Sequence, residues 1–113
     1  SKPYITIDGY LYHARQSGIP YTLESRPLKE DELKKFRGGE NAHIWISKVI
    51  LTGEGNEFVG YGVVAQDEMT AKSPRDATKL RSPVVAAHPQ LLAQKRAEWQ
   101  ALRRAFPIGG IEE

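Results

Sequence analysis

Basic side chains are concentrated in the last third of the chain, where their chemistry suits phosphate binding. Residues 71–113 carry 8 Lys and Arg against 4 Asp and Glu, whereas residues 1–70 carry 8 against 10. Clustered positive charge is typical of a polyanion site, although a solvated basic surface would have the same composition. The candidate nucleic-acid-binding residues are Lys72, Arg75, Lys79, Arg81, Lys95, Arg96, Arg103 and Arg104.

A helix from Pro89 to Phe106 is predicted to position the last four of these cations. Proline is favoured in a first helical turn, and Pro107 followed by Gly109-Gly110 ends the pattern. Arg96, Gln100 and Arg103 lie beside the apolar face, so the guanidinium groups could follow a row of phosphates. That predicted face consists of Leu91, Leu92, Trp99, Leu102 and Phe106.

Lys95 projects onto the same apolar face, between leucines and Trp99. An unpaired ammonium is costly to bury, so we expect Lys95 to extend to solvent, to pair with an acid or to contact a ligand. Tyr61 is the candidate for base stacking, because it stands between Gly60 and Gly62. Glycines at alternate strand positions indicate a bulge or the close approach of a helix, another backbone or a ligand.

Each end of the sequence carries a recognisable set of motifs. The C-terminal end contains, in this order, Pro89, Arg96-Ala97, the segment ALRRAF (residues 101–106) and Gly109-Gly110-Ile111. The N-terminal end contains KPYITIDGYLYHARQSG (residues 2–18). Both resemble the phage RecT / lambda Red beta family of single-strand annealing recombinases, in which the second motif reads "ITIDGW". The middle of the chain is similar only in its strand pattern.

The resemblance implies ATP-independent annealing of single-stranded DNA in homologous recombination, with Arg96 and Arg103 on the DNA-binding helix. It implies a ring or filament of copies on single-stranded DNA and on the annealed duplex intermediate, and a phage exonuclease or host single-strand binding protein as partner. It also implies the cytoplasm of a bacterial host and a fragment of a larger core, without the family's preceding helix and hairpin strand. Gln90-Leu91 and Val84-Val85 depart from the family pattern.

The remaining pattern predicts an α+β fold with a mainly antiparallel sheet of three or four strands and helices on one face. Asp8 is the candidate N-cap of the first helix, and residues 67–87 are predicted to be a long loop. The predicted strands are Tyr4–Ile7, Pro20–Arg26, His43–Thr52 and Glu57–Gln66. A shorter helix is predicted at Tyr10–Gln16, and a short amphipathic helix or a turn at Leu28–Phe36.

Several functional classes find no support in the sequence. The chain has no cysteine, which excludes disulfides and thiolate metal sites. It has no glycine-rich phosphate loop, no apolar run of about 20 residues and no ligand spacing among His13, His43 and His88. We therefore predict no enzyme activity, catalytic residue, metal, cofactor or membrane partner. Two alternatives stay open, a small structural or regulatory oligomer and a small enzyme that uses Asp8, His13 or Glu24.

Overall fold

A three-stranded antiparallel sheet with the order β1-β2-β3 is the centre of the fold. The structure is a computed structural model and describes residues 5–36 and 41–108. The strands are β1 Tyr21–Pro27, β2 His43–Leu51 and β3 Asn56–Val64. The helices are α1 Ile7–Gln16, α2 Glu30–Leu33, α3 Gln66–Thr70, α4 Pro83–Ala87 and α5 Pro89–Ala105. The predicted α+β class and the dominant C-terminal helix are confirmed.

The first helix begins earlier than predicted, so the strand expected at residues 4–7 is wrong over its described part. Ile5 and Thr6 are not in a strand, and α1 begins at Ile7. The N-cap is Thr6 rather than Asp8, because the Thr6 hydroxyl accepts a hydrogen bond from the N–H of Gly9 at 3.2 Å. Asp8 lies in the first turn, where its charge suits the helix dipole. Tyr4 lies outside the described residues.

The helix α5 packs directly on the backbone of β3. Gly60 and Gly62 face this helix, and a Cβ atom on either glycine would overlap the main chain of Ala97. Ala93, Ala97 and Ala101 are fully buried and let the two backbones approach. The close approach predicted from the alternate glycines is therefore that of a helix, and no strand bulge is needed to explain them.

The limits predicted for α5 are confirmed, and its predicted buried face is confirmed at Leu102 and Phe106 but wrong at Leu91. The row of alanines at intervals of four contacts the sheet, while Leu91 is 51% exposed. Trp99 and Leu102 lie on the adjacent face, which α1 covers. Tyr10 meets Trp99 edge to face with ring centroids 5.8 Å apart. Small residues thus set the distance from helix to sheet, and the larger apolar residues pack between α5 and α1.

The segment predicted as a long loop contains two short helices. Residues 66–70 form α3 and residues 83–87 form α4. Between them, Lys72 and Leu80 form an isolated antiparallel bridge. The loop prediction is wrong at these positions because short helices lack the apolar periodicity that a longer one shows.

Part of the other sheet face is covered by the segment around α2. Leu28 and Ile44 are buried there. The ring centroids of Phe36 and Tyr61 lie 5.3 Å apart. Arg26 donates two hydrogen bonds to the Glu32 carboxylate, at 2.7 and 2.9 Å. These bonds lower the pKa of Glu32 to about 2. Gly109-Gly110, expected to follow the end of α5, lies outside the described residues.

Candidate nucleic-acid interface

Three side chains of α5 bind the outer edge of β3. Arg104 donates to the carbonyl of Val59 at 2.6 Å, and Arg96 donates to the carbonyl of Val63 at 2.6 Å. Between them, the side-chain oxygen of Gln100 accepts the N–H of Tyr61 at 2.7 Å. Residues 96, 100 and 104 lie one helical turn apart, and the antiparallel strand presents outward-facing groups at every second residue. The flank predicted to follow phosphates therefore satisfies an exposed strand edge.

Arg96 also forms a bidentate ion pair that fastens α3 to α5. Its guanidinium donates to the two carboxylate oxygens of Glu68 at 3.0 and 2.9 Å. These hydrogen bonds are the main reason why the pKa of Glu68 lies below its usual range. Since Arg96 also binds Val63, its polar hydrogens are largely committed within the chain.

Arg103 has a different environment, because it stacks on an aromatic ring. Its guanidinium carbon lies 4.7 Å from the centre of the Trp99 ring, which is cation–π geometry. The indole N–H of Trp99 donates to the carbonyl of Ile5 at 2.6 Å, so the ring is held in place. A fixed ring therefore orients the Arg103 guanidinium, and no described carboxylate pairs with it.

A groove of about 660 Å³ separates the start of α1 from α5 and β3. Lys95, Arg96 and Tyr61 line it, so the structure brings together these three predicted site residues. Lys95 is exposed, so of the three outcomes expected for it the side chain extends to solvent, at this groove. The other lining residues are Thr6, Ile7, Asp8, Leu92, Trp99 and Gln100.

Tyr61 is 39% exposed, so part of the ring is accessible to a base. Its neighbours Gly60 and Gly62 face α5. Because side chains alternate along a strand, Tyr61 projects from the other side of the sheet, where it meets Phe36. The edge position of β3 explains how Tyr61 also lines the groove.

The segment from Lys72 to Arg81 is held as a turn. The N–H of Ser73 donates to the carbonyl of Lys79 at 2.9 Å, and the N–H of Arg81 donates to the carbonyl of Ala71 at 2.8 Å. The main chains of Lys72, Lys79 and Arg81 are therefore close along the two arms. Arg75 lies in the connecting bend and is exposed. At the turn, hydrogen bonds from Thr78 lower the pKa of Asp76.

Most predicted cations have no carboxylate partner among the described residues. Within residues 5–36 and 41–108 the ion pairs are Arg26–Glu32, Lys48–Glu57 and Arg96–Glu68. Of the eight predicted residues, only Arg96 has a carboxylate partner among those described. The others, here named the unpaired cations, are Lys72, Arg75, Lys79, Arg81, Lys95, Arg103 and Arg104.

Two structural contributors were missed by the sequence analysis. The sequence gives no sign that Glu68 is the partner of Arg96, since the acid and the base are 28 residues apart. For Gln100 it predicts a position beside the apolar face but no hydrogen bond to a strand. The regular spacing of Arg96, Gln100 and Arg104 was the available signal, because it equals one helical turn and matches the repeat of a neighbouring strand edge.

Two of the residues considered for an enzyme, Asp8 and Glu24, lie apart. Asp8 lines the groove beside α5, whereas Glu24 lines a depression with Arg26 and Lys48 on the other side of the sheet. In the described part of the chain, no group of three or more metal-ligating side chains comes together. None of the described helices has the length and apolar character needed to cross a membrane.

No protein-family model matches the chain, and no curated protein or solved structure shows significant similarity to it.

Proposed function

We propose that this protein binds single-stranded DNA through the unpaired cations and anneals complementary strands without nucleotide hydrolysis. The observation that carries the proposal is the absence of a described carboxylate partner for any of those side chains. Cations that are not neutralised within the fold release bound counterions when they meet phosphates, which favours binding. The resemblance at residues 2–18 and 89–111 supports the same activity.

The proposed contacts are mainly to the sugar-phosphate chain. Lysine and arginine side chains that contact phosphates position a strand without reading its sequence. A strand held in this way leaves its base edges available to a complementary strand. Arg103 is the best-oriented phosphate ligand, since Trp99 fixes one face of its guanidinium. Tyr61, partly exposed at the groove, is proposed to stack on a base.

The positions that depart from the family pattern have other environments in this chain. Gln90 accepts a hydrogen bond from the indole N–H of Trp45 at 2.6 Å. Leu91 and Val84 are exposed apolar residues. Gln90, Leu91 and Val84 cannot form ionic contacts with phosphates. We propose that the turn from Lys72 to Arg81 supplies phosphate contacts in their place. A ring or filament, and an exonuclease or single-strand binding partner, belong to the same proposal.

A comparison of two triple variants tests the DNA-binding part. One replaces Lys72, Lys79 and Lys95 with glutamine, and the other replaces Lys29, Lys34 and Lys35, which are also exposed. Both remove three positive charges, so an effect of net charge alone would be equal. We expect the first triple variant to bind a fluorescent single-stranded oligonucleotide roughly tenfold more weakly, because several phosphate contacts are lost. The second should bind within about threefold of wild type.

Annealing is measured with complementary oligonucleotides that carry a fluorophore and a quencher. Wild-type protein should accelerate quenching in the absence of ATP, and the first triple variant should not. Equal affinity of the two triple variants would show that these cations are not the site. A wild-type protein with no affinity for the oligonucleotide would instead favour a structural or regulatory oligomer.

A further inference from the structure

The two edges of the sheet differ in how their backbone groups are satisfied. On β3, side chains of Arg96, Gln100 and Arg104 bind the outward-facing groups. Along the edge of β1, the one such contact from a described side chain is at the C-terminal end of the strand, where Arg26 donates to the carbonyl of Pro27 at 3.3 Å. Because α5 packs mainly over β3 and β2, it does not cover the β1 edge. Among the described residues, the sheet therefore has one closed edge and one edge that is open from Tyr21 to Ser25.

The register identifies the groups at the open edge. The carbonyl of Pro20 accepts a hydrogen bond from the N–H of Thr52, and the N–H of Leu28 donates to the carbonyl of Ile44. The backbone groups of the even-numbered residues of β1 therefore point toward β2. Because backbone groups alternate along a strand, those of Tyr21, Leu23 and Ser25 face away from β2. All three residues have an N–H. None of these outward backbone groups has a hydrogen-bond partner among the described residues.

The side chains beside this edge are fixed in orientation. The hydroxyl of Ser25 donates to a carboxylate oxygen of Glu98 at 2.7 Å and lies 2.8 Å from the hydroxyl of Ser47. Leu23 and Tyr21 pack against the core from the same side. Thr22 and Glu24 project from the other side and are exposed. An open edge with fixed side chains is a template for another strand.

We propose that two copies of this chain pair through the β1 edge, with the strands antiparallel, into a six-stranded sheet. A second copy has its β3 edge closed by α5, so β1 is the edge of the sheet that it offers. A twofold axis makes the contact self-complementary and limits it to two copies. The inference does not rest on nucleic-acid binding.

Hydrogen bonding and charge select the register. When Leu23 lies opposite Leu23 of the other copy, Tyr21 of each copy lies opposite Ser25 of the other. The backbone N–H of each of these residues can then donate a hydrogen bond across the contact, and its carbonyl can accept one. In this register the hydroxyl of Thr22 lies opposite the carboxylate of Glu24, an acceptor, at both ends of the contact. A shift that places Glu24 opposite Glu24 sets two carboxylates together, which is unfavourable. A register with Ser25 opposite Ser25 places Leu23 opposite Pro27, which has no N–H to donate.

The test exploits the exposed position of Thr22. In the proposed register, Thr22→Lys places a lysine opposite Glu24 twice, whereas Thr22→Glu places two carboxylates together twice. Sedimentation equilibrium without nucleic acid should show a dimer, with its Kd lowered by Thr22→Lys and raised by Thr22→Glu. We expect each change to be about two- to thirty-fold, since each cross-strand pair contributes modestly and each dimer has two. The same charge changes at the exposed residue Ala77 are the control and should leave Kd unchanged.

Three outcomes would overturn the inference. The first is a wild-type chain that stays monomeric at every accessible concentration. The second is an equal effect of lysine and glutamate at position 22. The third is the reversed order, with glutamate strengthening the dimer, because a register shifted by one pair places Thr22 opposite Arg26. Circular dichroism of both variants confirms that the monomer fold is retained.

Discussion

Arg96 binds both carboxylate oxygens of Glu68 and the carbonyl of Val63, and so joins α5 to α3 and to the edge of β3. The same arginine is one of the two that the family resemblance places on a DNA-binding helix. Its environment in this chain is that of a structural residue, whereas Arg103 has no carboxylate partner in the described part of the chain. Variants at these two positions should therefore behave differently.

Replacement of Arg96 by alanine should lower the stability of the fold. The loss leaves Glu68 and the Val63 carbonyl without their partner, and the half-exposed position keeps the cost at about 1 kcal/mol. Urea denaturation measures the change in the free energy of unfolding. Lys95→Ala is the control and should stay within about 0.5 kcal/mol of wild type, since Lys95 is exposed and forms no ion pair with a described residue. Equal stability of the Arg96 variant and wild type would mean that the guanidinium is free in solution.

The contribution of the Arg96–Glu68 pair should depend on pH. The folded state lowers the pKa of Glu68 from its ordinary value of 4.5, chiefly through the Arg96 hydrogen bonds. A lowered carboxyl pKa stabilises the fold above the unfolded pKa, and this contribution is lost as pH falls through the folded pKa. The stability difference between wild type and Arg96→Ala should thus be full at pH 7 and shrink below pH 4.5. A difference that stays constant down to pH 2 would contradict the pairing.

A methyl group at position 62 should separate α5 from the sheet. Its Cβ would overlap the main chain of Ala93 and Ala97, which cannot move without the whole helix. We expect Gly62→Ala to destabilise the protein by about 3 kcal/mol or more, at the upper end of the cost of overpacking. Thermal unfolding of Gly62→Ala and Gly53→Ala is the measurement, because a Cβ at Gly53 meets nothing within 4 Å. Similar melting temperatures for the two variants would contradict the close helix–strand contact.

The elements with strong local signals were predictable from the sequence. Pro89 and Pro107 bracket α5, and alternating apolar residues with a Gly-rich turn give the β2–β3 hairpin. The start of α1 was not predictable, because Ile5 and Ile7 have strand propensity. The helix begins there because the Thr6 side chain caps its N-terminus. Similarly, hydrophobicity predicted the large apolar residues of α5 as its buried face, which is confirmed at Leu102 and Phe106 but does not reveal that the alanines are buried too. The alanines contact the sheet because only small side chains fit against the glycines of β3.

The candidate site was predictable in composition but not in pairing. The sequence indicates where the cations lie along the chain, and seven of the eight predicted residues have no described carboxylate partner. It gives no signal that Glu68 would meet Arg96, since that contact depends on how α3 folds back on α5. The use of Arg96, Gln100 and Arg104 at a strand edge likewise depends on which strand lies under the helix.

The salt dependence of single-stranded DNA binding tests the central claim most directly. Fluorescence anisotropy with a labelled oligonucleotide of mixed sequence gives the binding constant between about 50 and 200 mM NaCl. If four to six unpaired cations meet phosphates, the logarithm of the constant should fall with the logarithm of salt at a slope of roughly −3 to −4. Arg103→Ala should reduce that slope by about 0.7, the value of one contact. Affinity that does not change with salt, or no affinity at all, would contradict the account.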